Sequence, residues 1–206
     1  RKTRKQNKII EEQHRQLDEN HKEITDSISY AKNIQDAMMT STVYLKDVLP
    51  ESFIFFKPKD VVSGDYYWVY KTPYNNIYFT VADCTGHGVP GAFMSMIGTS
   101  LLNENIIEKK VNNPGEILDN MRDKIIASLN NKDSKKETRD GMDVALCKIN
   151  FKKLTLQYAG ANNPLVHVRN GEINHIKANY QPVALTVGEK KPLSLIHISE
   201  PTRRRH

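Results

Sequence analysis

The sequence predicts an α+β fold, with antiparallel β-sheet carrying helices on its surface and one long helix ahead of it. Three observations predict this. Short runs of strand-forming residues are joined by tight turns and not by helical crossovers. Two helical segments opened by proline lie between the strand blocks. Apolar residues recur every seven positions through the first forty residues.

Residues 1–40 contain neither proline nor glycine, and Ile10, Leu17, Ile24, Ala31 and Met38 stand at heptad spacing. Ile28 and Ile34 fill intervening positions, whereas Gln13, Asn20 and His21 weaken the seam. On a helix otherwise so polar, this pattern favours a coiled coil, most simply a parallel homodimer, over a helix packed along its own domain.

From about residue 50 the period changes. Phe53-Ile54-Phe55-Phe56 reads as a short buried strand ended by Lys57-Pro58. Tyr66–Tyr70 and Ile77–Ala82 read as a hairpin turning at Asn75-Asn76. Pro90 fits the first turn of a helix reaching about Asn105, with Phe93, Met94, Ile97, Leu101 and Leu102 on its buried face. Pro114 opens a second helix with Ile117, Leu118, Met121, Ile125 and Leu129 at helical spacing. The charged stretch 130–139 reads as a loop. Strands follow at Val144–Asn150, Leu154–Ala159, Leu165–Arg169 and Ile173–Ile176, the last two joined by Asn170-Gly171.

The chain divides into a linker helix over 1–45, a domain over 50–192, and a tail over 193–206. The tail carries no extended pattern, and its string Leu-Ser-Leu-Ile-His-Ile-Ser-Glu-Pro-Thr-Arg resembles translated adapter sequence, so it is read as non-native.

Composition narrows the function. The formal charge is +6, but residues 1–8 carry five bases and no acid, and 193–206 carry a net +2, which leaves 9–192 at −1. A nucleic-acid binder would need a basic footprint on the folded part, so that class is excluded. Cys84 and Cys147 are too few for a disulfide framework or a zinc site and read as buried free thiols in a reducing cytoplasm. No run of 18 uncharged apolar residues is present. The missing initiator Met and the basic start suggest a fragment lying on the cytoplasmic side of an upstream membrane anchor.

The candidate chemistry rests on two aspartates. Asp65 precedes one strand of the first hairpin and Asp83 ends its partner, so their ends coincide in space. Each alone is an ordinary turn or cap residue. Together they repel unless a cation or a proton lies between them, and a hard divalent ion such as Mg²⁺ or Mn²⁺ resolves that repulsion. The Gly86-His87-Gly88 turn permits close backbone approach, which makes the Cys84 carbonyl a further donor, and the helix start beyond it suits an anionic substrate. His87 reads as a tolerated turn residue in preference to an acid or a ligand. Asp140 is either a turn residue or an outer metal ligand, Asp143 a cap, and Asn162-Asn163-Pro164 a structural turn near the site.

Three stretches carry a resemblance: Phe56-Lys57-Pro58-Lys59-Asp60-Val61-Val62-Ser63-Gly64-Asp65-Tyr66-Tyr67-Trp68, Val81-Ala82-Asp83-Cys84-Thr85-Gly86-His87-Gly88-Val89-Pro90-Gly91-Ala92-Phe93-Met94-Ser95, and Tyr158-Ala159-Gly160-Ala161-Asn162-Asn163-Pro164-Leu165. They resemble, in the expected order, the SpoIIE-type branch of the PP2C (PPM) serine/threonine phosphatases. Ile28–Ala37 is similar to the signalling linker that often precedes such domains.

The resemblance implies a PP2C-like sandwich of two antiparallel β-sheets flanked by helices, and a binuclear Mn²⁺ or Mg²⁺ centre. Asp83 would bridge the metals, Asp65 would hold one together with the Cys84 carbonyl, and Asp140 matches a third, weaker site. It implies hydrolysis of phosphoserine or phosphothreonine by a metal-activated water, on a phosphorylated regulator of the anti-anti-sigma type. The family's later Gly-Asp turn, Ser-Asp-Gly or Thr-Asp-Gly motif and final Asp are missing after Pro192, and Pro182-Val183-Ala184 replaces Pro-Ile-Gly. The expectation is therefore a phosphatase parent and a chain of little or no activity, with a pseudophosphatase or dimeric signalling scaffold as the alternative.

Overall fold

A computed structural model describes residues 2–130, 138–186 and 191–199. Helix α1 (Lys2–Met38) is continuous, as expected of a segment without helix breakers. Ile9, Ile10, Leu17 and Ile24 are exposed along it, and only its last turns dock on the domain. The chain then turns through Ser41, which caps α2 (Thr42–Val48) by accepting from the Tyr44 amide. The expected 1–45 linker is thus two helices, broken where the Ser41 side chain offers the backbone a helix start.

Five strands form the main sheet: β1 (Tyr66–Lys71), β2 (Ile77–Cys84), β3 (Met142–Asn150), β4 (Thr155–Ala161) and β7 (Ile196–Ser199). They lie in the order β1-β2-β3-β4-β7, every neighbour antiparallel. Strands β5 (Leu165–Arg169) and β6 (Glu172–Ile176) make a separate hairpin. Its Asn170-Gly171 turn has both residues at positive φ, 52° and 80°, the conformation a two-residue hairpin loop demands.

Alternation along the strands gives each face its own core. Tyr66, Trp68, Tyr78, Val144, Leu146, Ala159 and Ala161 pack toward α3 (Gly88–Leu102) and α4 (Pro114–Leu129). On the other face, Ala145, Cys147 and Tyr158 meet Leu165 and Ile176 of the hairpin, and Val69 and Ile77 meet Leu45 and Val48 of α2. Asn113 caps α4 through the amides of Gly115 and Glu116. A π-helical turn, Asn103–Glu108, follows α3 directly.

Three expectations need correction. Phe53–Phe56 forms no strand: Phe53 and Phe55 are 88% and 86% exposed, because no neighbouring strand pairs with this extended segment among the described residues. Phe93 is exposed as well. Met94 and Leu102 are buried as expected, and Ile97 and Leu101 pack against the core, but helix α3 also buries Gly91, Ala92, Ser95, Gly98 and Thr99, side chains small enough to bring its backbone onto the sheet. Ile196–Ser199, in a tail expected to be patternless, pairs with Thr155–Tyr158 by taking up the open edge of β4. Residues 131–137 of the expected loop and 200–206 of the tail lie outside the described residues.

Candidate metal centre

Asp65 directly precedes β1, and Asp83 is the penultimate residue of β2. The β1–β2 register pairs Tyr66 with Ala82, so one further step sets Asp65 opposite Asp83. The two carboxyl groups line the same clefts. Burial first, and then the neighbouring Asp65 carboxyl, hold the Asp83 carboxyl above its ordinary value. No basic side chain pairs with either carboxylate among the described residues.

The backbone around this pair is packed tightly. A β-carbon on Gly64 would lie 2.7 Å from the Gly86 carbonyl oxygen and 3.4 Å from that of Cys84. Both oxygens therefore face the residue beside Asp65. Gly86 supplies the turn with φ of +85°, which a larger residue adopts only under strain. Gly91, in the first turn of α3, presses on the same carbonyl of Gly86. The Cys84 side chain is buried on the helix side of the sheet, and burial pushes its thiol well above the ordinary range, so its carbonyl is the group available to a ligand.

Two clefts meet at the aspartates. One, of about 350 Å³, is lined by Phe55, Phe56, Lys57, Tyr67, Val81 and Asn163 together with the pair. The other, of about 260 Å³, adds Lys59, Asp60, Gly64, Gly86 and His87. His87 Nδ1 lies 2.7 Å from Asp60 Oδ2, and its Nε2 is 3.5 Å from Lys59 Nζ. Sequence reasoning missed Lys59 and Asp60. They stand 28 and 27 residues from His87, and only the fold of the loop ahead of β1 brings them together. A larger cavity, about 460 Å³, lies at the turn end of the β1–β2 hairpin among Tyr70, Tyr74, Tyr78, Ile106 and Lys110, and no acidic residue lines it.

Asp140 is exposed on the approach to β3. Its neighbour Gly141 exchanges hydrogen bonds with Thr85, donating to Oγ1 and accepting from the amide. Among the described residues, no third Asp, Glu, His or Cys side chain completes a metal-holding cluster with the pair. Asp143 is in register with Asp83 and is tied to the 162–163 turn: Asn162 donates to its carboxylate at 2.8 Å and Asn163 to its carbonyl at 3.0 Å. Two carboxylates and two carbonyl oxygens are hard donors, which fit Mg²⁺ or Mn²⁺ in preference to a soft metal. Among the described residues, no helix is long and apolar enough to cross a membrane.

Comparison with known proteins agrees with this architecture. The SiaA-PP2C domain of Pseudomonas aeruginosa superposes with a TM-score of 0.73 at 29% identity, over 87% of this chain and 68% of that domain. The PP2C phosphatase domain and regulatory fragment of SpoIIE from Bacillus subtilis gives a TM-score of 0.52 at 15% identity, over 68% of this chain and 38% of that one. RsbX in complex with magnesium gives 0.51 at 14%, over 72% of this chain and 66% of that one. The two lower identities speak for the fold alone. No curated protein matches the sequence. The profile of Stage II sporulation protein E (SpoIIE) matches residues 73–197, well over half of the chain. With the PP2C phosphatase fold established, that match makes this chain a member of the SpoIIE family.

Proposed function

We propose that the domain is a metal-dependent phosphoprotein phosphatase acting on phosphoserine or phosphothreonine. The observation that carries this reading is the Asp65–Asp83 pair at coincident strand ends, with the Cys84 and Gly86 carbonyls packed against the Gly64 that precedes Asp65. Asp65, Asp83 and the Cys84 carbonyl would hold Mn²⁺ or Mg²⁺, with Asp83 shared between two ions and Asp140 an outer ligand. When bound, the ions would activate water and neutralise charge on phosphoryl oxygens. The chain's own residues then position the substrate: Lys59 and His87, the latter held by Asp60, offer N–H donors on the cleft rim to an anionic group.

The substrate class is a phosphorylated regulatory protein of the anti-anti-sigma type. The exposed seam of α1 pairs with a second copy of the chain, on the cytoplasmic side of a parent that can be membrane-anchored upstream. Nucleic acid is not a partner, on the charge distribution given above. A second reading, a pseudophosphatase or dimeric scaffold, is favoured by one observation: no third metal-holding side chain joins the pair among the described residues.

The test is a Mn²⁺ titration of the chain followed by electron paramagnetic resonance, beside hydrolysis of a phosphoserine peptide. Mn²⁺ binding is expected, and Asp83→Asn should reduce it by at least about tenfold and any turnover by at least about 10²-fold. Turnover that survives Asp83→Asn overturns the reading. Binding without turnover turns it toward the scaffold.

A further inference from the structure

We propose that Gln35 is a positioning residue for the metal centre: its buried amide clamps the Ser63-Gly64-Asp65 segment onto α1 and so sets how well Asp65 can hold a cation. The proposal deepens the reading given under Proposed function and rests on it.

Gln35 is 3% exposed, on a helix whose other side chains are mostly in solvent. Burying a primary amide costs free energy unless its groups are matched, and here they are matched by one backbone residue and one hydroxyl. The Ser63 amide donates to Gln35 Oε1 at 3.0 Å, and Gln35 Nε2 donates to the Ser63 carbonyl at 2.6 Å. The side chain thus satisfies both backbone groups of Ser63, as a neighbouring strand would. Gln35 Nε2 also donates to Ser95 Oγ of α3 at 2.8 Å, and that hydroxyl lies 3.2 Å from the Ser63 carbonyl and 2.8 Å from that of Ala92.

The consequence reaches the carboxylates through contacts that leave no slack. Ser63 leads into Gly64, which has no room for a β-carbon against the Gly86 carbonyl, and Gly64 leads into Asp65. One amide therefore ties three elements at a single point: the end of α1, the loop that carries Asp65, and α3, whose Gly91 presses on the 84–88 turn. Without it, the Ser63 carbonyl keeps only the Ser95 hydroxyl, and the Ser63 amide loses its hydrogen bond to Gln35 Oε1.

The experiment compares Gln35→Met, of similar volume and without amide hydrogen bonds, with Ser95→Ala, which removes one partner. Three measurements are made on the full 206-residue chain: melting by circular dichroism, hydrogen exchange of the 60–66 region in EDTA, and Mn²⁺ affinity. Gln35→Met is expected to exchange the Ser63–Asp65 amides at least about tenfold faster without metal and to weaken Mn²⁺ by about 10–100-fold, the usual range for residues that orient a ligand. Ser95→Ala should change both in the same direction by less.

Unchanged exchange of those amides overturns the proposal whether or not metal binds. Faster exchange with wild-type Mn²⁺ affinity also overturns it, since Gln35 would then be merely structural. Should the wild-type chain bind no Mn²⁺ that Asp83→Asn removes, it is the metal reading that fails, and exchange still reports on the clamp. If Gln35→Met does not fold, Ser95→Ala decides by the same two readouts.

Discussion

Cys147 sits in β3 between the main sheet and the β5–β6 hairpin, and burial pushes its thiol up to about 12 from an ordinary 9.0. The thiol of Cys84 moves in the same direction, again chiefly through burial. The folded chain therefore keeps these protons where the unfolded chain loses them. The associated stability is complete below about pH 9 and is lost as pH rises toward 12. Urea midpoints should accordingly fall from pH 9 upward, and Cys147→Ala should make the decline shallower. In the native protein a thiol reagent should label both cysteines at least roughly 10²-fold more slowly than in urea. Apolar neighbours in the sequence are enough to read such thiols as buried. The role of Gln35 is not readable that way, because a polar residue in a heptad helix looks like an interruption of the seam until the loop against it is seen.

Helix α3 and the 84–88 turn meet backbone to backbone. A methyl group on Gly91 would lie 2.6 Å from the Gly86 carbonyl oxygen and 3.0 Å from the Gly64 α-carbon, and neither can swing aside. Helix propensity favours Gly91→Ala by about 1 kcal/mol, whereas overpacking opposes it by about 1–3 kcal/mol. The packing term is expected to win, giving a lower urea midpoint and weaker Mn²⁺ binding; a more stable variant would refute the close contact. Elements announced by their turns were legible beforehand: Asn170-Gly171 and Pro114 each carry the local geometry their element needs. The run 53–56 was misread because apolar content alone does not provide a pairing partner, and strand structure requires one.

Across the whole molecule, the apolar seam of α1 is presented to solvent at Ile10, Leu17 and Ile24. Sedimentation of the chain should give a dimer, and Leu17→Asp, which sets a charge in the middle of that seam, should give a monomer with the domain still folded. A monomeric wild type would refute the pairing. The Asp65–Asp83 pair was foreseeable because it depends on a single hairpin register. The Asp60–His87 contact and the Gln35 clamp depend on how separate elements stack, which local spacing does not encode.

A helix of 37 residues is a rod about 55 Å long, gripped only near one end. Such a rod works as a crank: a 10° swing about its socket displaces the free tip by about 10 Å. Conversely, modest sideways force at the tip becomes a large torque where the socket lies, two residues from the first aspartate.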